Sequence, residues 1–536
     1  MKIKIVLGLK EVSTVQISSP INLLLGYDPD YLLLTISNIN FQINNNNNDI
    51  KIIQYLYLLD QLTIRTYTHL STVLRHSDKT KSHSYTIFNE KTNDNFFKLI
   101  FSNYSLLRNN KNEKLLLDNF ITIYLKLNET TFGSEGTDFT SFSKEYYNEY
   151  TQIMFYSKIY ELDKPKRITF QILKMKCLLN YFYINHKELL NEFYKEKGIS
   201  NPDIWLSTLI SSIKNENKSE SNLFKLDEGD MIKSYFREIT INHLLDKEIS
   251  TYDLMYHSIF NINDTFMILN WNYLFHSFYH KINYELFLKY KRQIRPNFNF
   301  PNYKSVISTE VSEKLIFRYV IKKLIKSKPS ITKLIFESKL QGFPDCYLRV
   351  GNQVFIFEFK DYLPSPSFLE SYKYDDVYNY INENFLEKKG IAQLEKFIKK
   401  ISNISDFDLK LKKNIKKIEI YPILVVSEDL FSLPALENIL TKELHKSLEN
   451  KDYKSINKLV VLNINEMIDF FLKNNRDDFF KLIVKYSRSK NKKRKSNSLL
   501  TTYPDFKYDF LMNAQRKDFV DIFIDFPITD SPDFGE

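Results

Sequence analysis

The chain has 536 residues, 43% hydrophobic and 26% charged, which is enough to bury a large core and to form several domains at roughly 100–200 residues each. Its ten glycines form neither a GxGxxG nor a GxxxxGK(S/T) motif, excluding a dinucleotide fingerprint and a P-loop, so any nucleotide-driven step must come from another chain. Two cysteines, Cys177 and Cys346, exclude a disulfide framework and a Cys-rich zinc site, and no apolar run approaches the ~20 residues that cross a bilayer. These features predict a soluble cytoplasmic protein without a membrane partner.

The net charge of +10 is unevenly spread: +3 over residues 1–300, +12 over 301–500 and −5 over 501–536. A basic region of this length is suited to a polyanion, although lysines of this density also serve as a plain solvated face.

In chain order, Met1–Lys10 reads as a period-two strand, its apolar run being too short for a signal peptide. Residues 1–60 read as β-rich, with the asparagine run Asn44–Asn48 as a loop between strands. From about Phe97 to Ile294 apolar residues recur every three or four positions, predicting helices over Lys114–Leu127, Arg167–Leu190 and Tyr252–Leu286. The 36 Tyr and 43 Phe read mostly as core. His276 and His280 share a helix face at i, i+4, but no Glu lies between them to complete a HExxH site, so they read as ordinary histidines.

Two prolines in Arg295–Asn302 place a domain boundary there. The sequence thus divides into an N-terminal recognition or partner region (1–300, mainly helical after its β-rich start), an α/β domain (301–480), and a basic linker with an acidic-apolar tail (481–536). The second domain opens with an amphipathic helix, Ser308–Ser327, capped by Ser308 or Thr309. Strands follow at Ile331–Lys339, Asp345–Val350 and Gln353–Lys360, then a polar stretch to Lys389 and a helix at Ile391–Ile401. Next come an apolar strand at Ile418–Ser427, interrupted by Pro422, a helix at Leu436–Glu449, a strand at Leu459–Leu462 and a helix at Glu466–Asn474. The order is αβββαβ with additions, predicting a mixed sheet flanked by helices. The run Lys485–Lys495 reads as a flexible basic linker, and Asp518–Pro527 as an acidic-apolar segment able to dock on the chain or on a partner.

The chemistry concentrates in Phe343–Asp361. Gly351-Asn352 between two apolar runs is a two-residue hairpin turn, which sets Val350 against Gln353 and therefore Asp345 against Glu358. Glu358 and Lys360 leave the same face of their strand. Facing carboxylates on a buried hairpin repel each other, and a divalent cation offsets that cost. Carboxylates and waters suit Mg²⁺ or Mn²⁺, and an adjacent lysine can hold an attacking water and balance the charge developing on phosphorus. The other reading is a plain hairpin with its charges turned to water, which the apolar neighbours Val354–Phe357 and Phe359 oppose.

This pattern, Pro344-Asp345 followed by Glu358-Phe359-Lys360 within αβββαβ, resembles the PD-(D/E)XK nuclease superfamily (restriction-endonuclease-like fold) over residues 303–475. The resemblance implies a metal-dependent endonuclease that leaves 5′-phosphates, acting on DNA more commonly than RNA. It implies Asp345 and Glu358 as metal ligands, with the Phe359 carbonyl added, and Lys360 positioning the nucleophile. An acid on the first core helix, Glu313 or alternatively Glu310, joins the metal, and Gln393 orients substrate or Lys360. The insertion Asp361–Lys389 departs from the pattern, and its Asp361, Asp375 and Asp376 compete as ligands. Lysines 322, 323, 326, 410, 412, 413, 416 and 417 would contact phosphates. The architecture is similar to prokaryotic restriction and phage-defence nucleases, including nuclease subunits driven by a separate NTPase bound through the N-terminal region. The alternative is a catalytically inert nucleic-acid-binding or assembly protein with a nuclease-like fold.

Overall fold

The computed structural model describes residues 3–12, 19–44, 48–59, 62–78, 83–109, 118–132, 168–202, 204–208, 222–227, 232–325, 333–336, 342–362, 379–387, 390–401, 408, 415–428, 431, 436–448, 455–472 and 479–491. These fall into two compact units, one within 1–147 and 191–285, the other within 167–190 and 286–536. The helix at 168–185 thus joins the C-terminal unit, which starts upstream of the boundary read at residue 301.

In the first unit, β1 (Ile3–Val6) pairs in parallel with β2 (His83–Thr86). The expected β-rich start ends there, because α1 (Pro29–Asn44) and α2 (Asp49–Leu58) occupy most of the following segment. Leu32, Leu33, Ile36, Ile39 and Ile43 are all buried, a three- and four-residue spacing that overrides the strand preference of isoleucine. Asn48, at the end of the asparagine run, caps α2 by accepting from Lys51 N at 3.0 Å, so this run lies between helices; residues 45–47 are outside the described set. The expected helix Tyr252–Leu286 is also interrupted. A hairpin of β4 (Ile259–Ile262) and β5 (Thr265–Ile268), with Asn263 and Asp264 at φ +48° and +61°, splits it, and β3 (Leu223–Lys225) pairs with β5.

Helix α3 (Glu90–Phe101) starts with five consecutive polar residues, Glu90 to Asp94, all buried. Asn272 Nδ2 donates to Glu90 Oε1 (2.6 Å), Thr92 Oγ1 to Asn128 Oδ1 (2.6 Å) and Asn93 Nδ2 to Asn40 Oδ1 (2.5 Å), while Tyr273 OH donates to Asp94. The His276 and His280 rings stack at 3.8 Å between centroids in this unit's interior.

The second unit is built on a mixed sheet in the order β6 (Lys333–Ile335), β7 (Cys346–Val350), β8 (Gln353–Lys360), β9 (Glu419–Val426). Two short strands, β10 (Ser455–Ile456) and β11 (Val460–Asn463), follow one another along the far side of β9. β6–β7 and β7–β8 are antiparallel, and β8–β9 is parallel. β10 pairs with Glu419 and Ile420 and β11 with Ile423 to Val426. The gap between them falls opposite Tyr421 and Pro422, so the proline that has no N–H to donate is tolerated within a central strand.

The helix before the sheet begins earlier than expected. Asn299 caps it by accepting from Asn302 N (2.9 Å), and Pro301 lies in the first turn, where a missing N–H costs nothing. It runs as one helix, α5 here, through Phe300–Ile307, Ser308–Phe317 and Arg318–Ile325; its middle section is widened to π-type turns, and Arg318 N donates to Glu313 O. The upstream helix α4 (Ile168–Asn185) packs on that widened section. On β8, Phe357 and Phe359 meet Phe317 of α5 at 6.3 and 5.2 Å between ring centroids. Helix α6 (Ile391–Lys400) lies on the other face, where Phe397 meets Tyr347, the cross-strand partner of Ile356. Helices α7 (Leu436–Ser447), α8 (Ile464–Leu472) and α9 (Phe479–Asn491) complete the layers. The basic run expected to be a flexible linker thus begins inside α9, where Phe480 packs on Phe355 and Arg488 reaches Glu419 at 2.8 Å. Both cysteines, Cys177 and Cys346, are buried in this unit.

Candidate active site

Gly351 has φ +60°, the left-handed conformation required at the first central position of a tight hairpin turn. The turn pairs Val350 with Gln353, and the ladder runs to Cys346 and Phe357. Asp345 sits one residue before the ladder, and its Oδ2 accepts from Phe359 N at 2.7 Å. One carboxylate oxygen is therefore spent on fixing the strand, and the group lies beside Glu358.

Glu358 is 1% exposed. Its Oε1 accepts from Lys360 Nζ at 2.5 Å, and the Lys360 side chain is 12% exposed. Burial and then Asp345 push the Glu358 carboxyl up to about 8, against the pull of Lys360. Burial also raises Asp345, opposed by Lys360, by the Phe359 amide and by Arg318. Lys360 is disfavoured by burial, yet Glu358 and Asp345 lift it above its ordinary value, so it stays an ammonium.

The widened section of α5 supplies Glu313, pushed up to about 7 by burial and then by Asp345. Arg318 lies 3.6 Å from Glu313 Oε1. Glu310 instead pairs with Lys314 at 2.9 Å toward the surface, so Glu313 is the helix acid that shares the field of Asp345 and Lys360. Gln393 lies in the first turn of α6, with its Oε1 accepting from the N–H of the cap residue Gly390 at 3.2 Å, so its side chain serves the helix start. Phe359 contributes its amide to Asp345 and stacks its ring on Phe317.

Asp361 turns away from this group, to the opposite face of β8, and is held by Lys174 and Ser312. Sequence reading missed Lys174, since nothing in the pattern of a helix so far upstream points to a strand end. Asp361 was expected to compete as a ligand; it lies on the other face instead, because it directly follows Lys360 and strand residues alternate. Asp375 and Asp376 lie outside the described residues, as do lysines 326, 410, 412 and 413. Lys322 and Lys323 lie in the last turn of α5, and Lys416 and Lys417 in a short turn before β9.

Among the described residues no three His, Cys, Asp or Glu side chains form a ready metal cage. Mg²⁺ does not require one, since one or two carboxylates, waters and a substrate phosphate complete its octahedron. Burial raises both carboxyls, and Asp345 raises Glu358 further; buried acids of this kind are the donor chemistry a hard divalent cation stabilises, so Asp345 and Glu358 fit such an ion. No protein family, curated protein or solved structure matches the chain.

Proposed function

We propose that this chain is a Mg²⁺-dependent endonuclease that hydrolyses DNA phosphodiester bonds. The reading rests on one observation above all: Asp345, Glu358 and Lys360 gather at the end of one buried strand, with the amine 2.5 Å from the Glu358 carboxylate. The resemblance of this constellation to the PD-(D/E)XK superfamily supports it.

Asp345 and Glu358 would hold the cation, with Glu313 joining through water, and the ion when bound supplies charge neutralisation at the phosphate and a more acidic water. The chain's own residues do the remainder. Lys360 Nζ keeps its proton at neutral pH, so it acts as a donor to the attacking water or to a phosphoryl oxygen, not as a base. Asp345 clamps the Phe359 amide and so fixes the direction in which Glu358 and Lys360 project. Arg318, beside Glu313, adds a second cation at the edge of the site. Lys322, Lys323, Lys416 and Lys417 provide phosphate contacts that carry no sequence information. A role in cytoplasmic restriction or phage defence, with the N-terminal unit serving a partner or a separate NTPase, fits the missing P-loop.

Plasmid nicking tests the reading. Wild type should nick with Mg²⁺ or Mn²⁺ and not with EDTA, and Glu358→Ala and Lys360→Ala should each lose about 10²–10³-fold or more with unchanged circular dichroism. Undiminished cleavage by both variants would remove the site. Binding without cleavage by wild type would favour an inert nucleic-acid-binding protein, a reading that the Glu358–Lys360 ion pair also accommodates.

A further inference from the structure

Behind the candidate site lies a second charged group that the proposed chemistry does not use. Asp361 immediately follows Lys360, and its carboxylate is buried. Lys174 Nζ, on the upstream helix Ile168–Asn185, donates to Asp361 Oδ1 at 2.8 Å, with the two side chains 2% and 3% exposed. Ser312 Oγ donates to Asp361 Oδ2 at 2.6 Å. Ser312 directly precedes Glu313 in the widened section of α5. On the sheet side, Ser427 N donates to Lys360 O at 3.1 Å. One carboxylate therefore ties together the backbone that carries Lys360, the helix turn that carries Glu313, and a helix from almost 190 residues upstream.

We propose that Lys174, Asp361 and Ser312 form a buried positioning assembly that sets the spacing between Lys360 and Glu313. This deepens the hydrolytic reading and rests on it. A fully buried ion pair is a poor way to gain stability, since apolar residues of the same volume often do as well or better. What it supplies is direction and length: two short bonds in fixed geometry, at the one point where the strand end and the helix turn must keep register. Lys304, in the first segment of α5, adds positive charge. Although burial alone would raise Asp361, Lys174, Lys304 and the two hydrogen bonds hold it down to about 2, so it remains a carboxylate.

The test separates positioning from bulk stability. In full-length protein, Lys174→Met/Asp361→Leu replaces both charges at once, and Ser312→Ala removes one bond alone. Three quantities are read: the melting temperature, the rate at which Lys360 is acylated by a water-soluble ester (by mass spectrometry, relative to surface lysines), and kcat against KM for Mg²⁺-dependent nicking. The expected result is a melting temperature within about 3 °C of wild type for the double variant. Lys360 acylation should rise about fivefold or more, and kcat should fall about tenfold with KM little changed, as expected when a reacting group loses its alignment. Wild-type acylation and kcat in a stably folded double variant would overturn the proposal. Should the double variant not fold, Ser312→Ala decides: faster Lys360 acylation at an unchanged melting temperature supports positioning, and a wild-type rate overturns it. If wild type does not cleave, the hydrolytic reading fails, while the acylation rates still judge the positioning assembly.

Discussion

Glu358 illustrates the cost of the site at the scale of one residue. Its folded carboxyl lies at about 8, pushed there by burial and by Asp345. An acid raised in this way binds its proton more tightly when folded than when unfolded, so stability falls as pH rises from the ordinary Glu range of about 4.3 toward 8. Asp361 has the opposite sign: its contribution is present above about 3.9 and is lost as pH falls toward 2. The metal-free protein should therefore melt roughly 3–6 °C higher at mildly acidic pH than at pH 8.5, and Glu358→Gln should flatten that slope. Mg²⁺ or Mn²⁺ should raise the melting temperature of wild type at pH 8 but not that of Asp345→Asn, because only a site that binds the ion in the folded state gains from it. Scanning calorimetry with and without the ion checks both.

At the scale of elements, the β7–β8 hairpin carries the site and was the most legible part of the sequence. Gly351-Asn352 between two apolar runs fixes a register in which Val350 meets Gln353, and the structure has that pair. With φ at +60°, Gly351→Val should cost about 1–2 kcal/mol and lower the urea midpoint accordingly. Helix α5 was legible as a helix but not in its detail. A sequence pattern does not reveal the π-type widening of Ser308–Phe317, because the same residues keep an amphipathic face in either winding. Removing one residue between Glu313 and Arg318 should rewind this section to an ordinary α-helix, preserving circular dichroism while lowering nicking about 100-fold by turning Glu313 away from the strand end. The strand reading of residues 1–60 failed for a related reason. Ile and Asn are poor helix formers locally, and tertiary burial of Leu32, Leu33, Ile36 and Ile39 decided the outcome.

For the whole molecule, chain order and spatial order differ where it matters most. The helix at 168–185 belongs with 286–536, and its Lys174 neutralises a carboxylate buried beside the candidate site. A fragment beginning at residue 301 would leave Asp361 without that partner, an uncompensated buried charge of about 3–5 kcal/mol. It should be readily proteolysed and melt without a sharp transition, whereas the full chain should not. No local pattern announces a pairing of this range, which is why the sequence placed the boundary at the Arg295–Asn302 prolines instead. The concentration of charge was legible, at +12 over residues 301–500. DNA affinity should therefore fall log-linearly with salt, and Lys322→Ala/Lys323→Ala should reduce that slope by about 1–2.

The two sealed thiols make the C-terminal unit its own reporter. Burial raises both Cys177 and Cys346 far from the thiolate range, so an alkylating reagent has no nucleophile to meet until the structure around them opens. Cys177 rides on the upstream helix and Cys346 on the hairpin strand, so the order in which they become labelled in rising denaturant would show which of these supports gives way first.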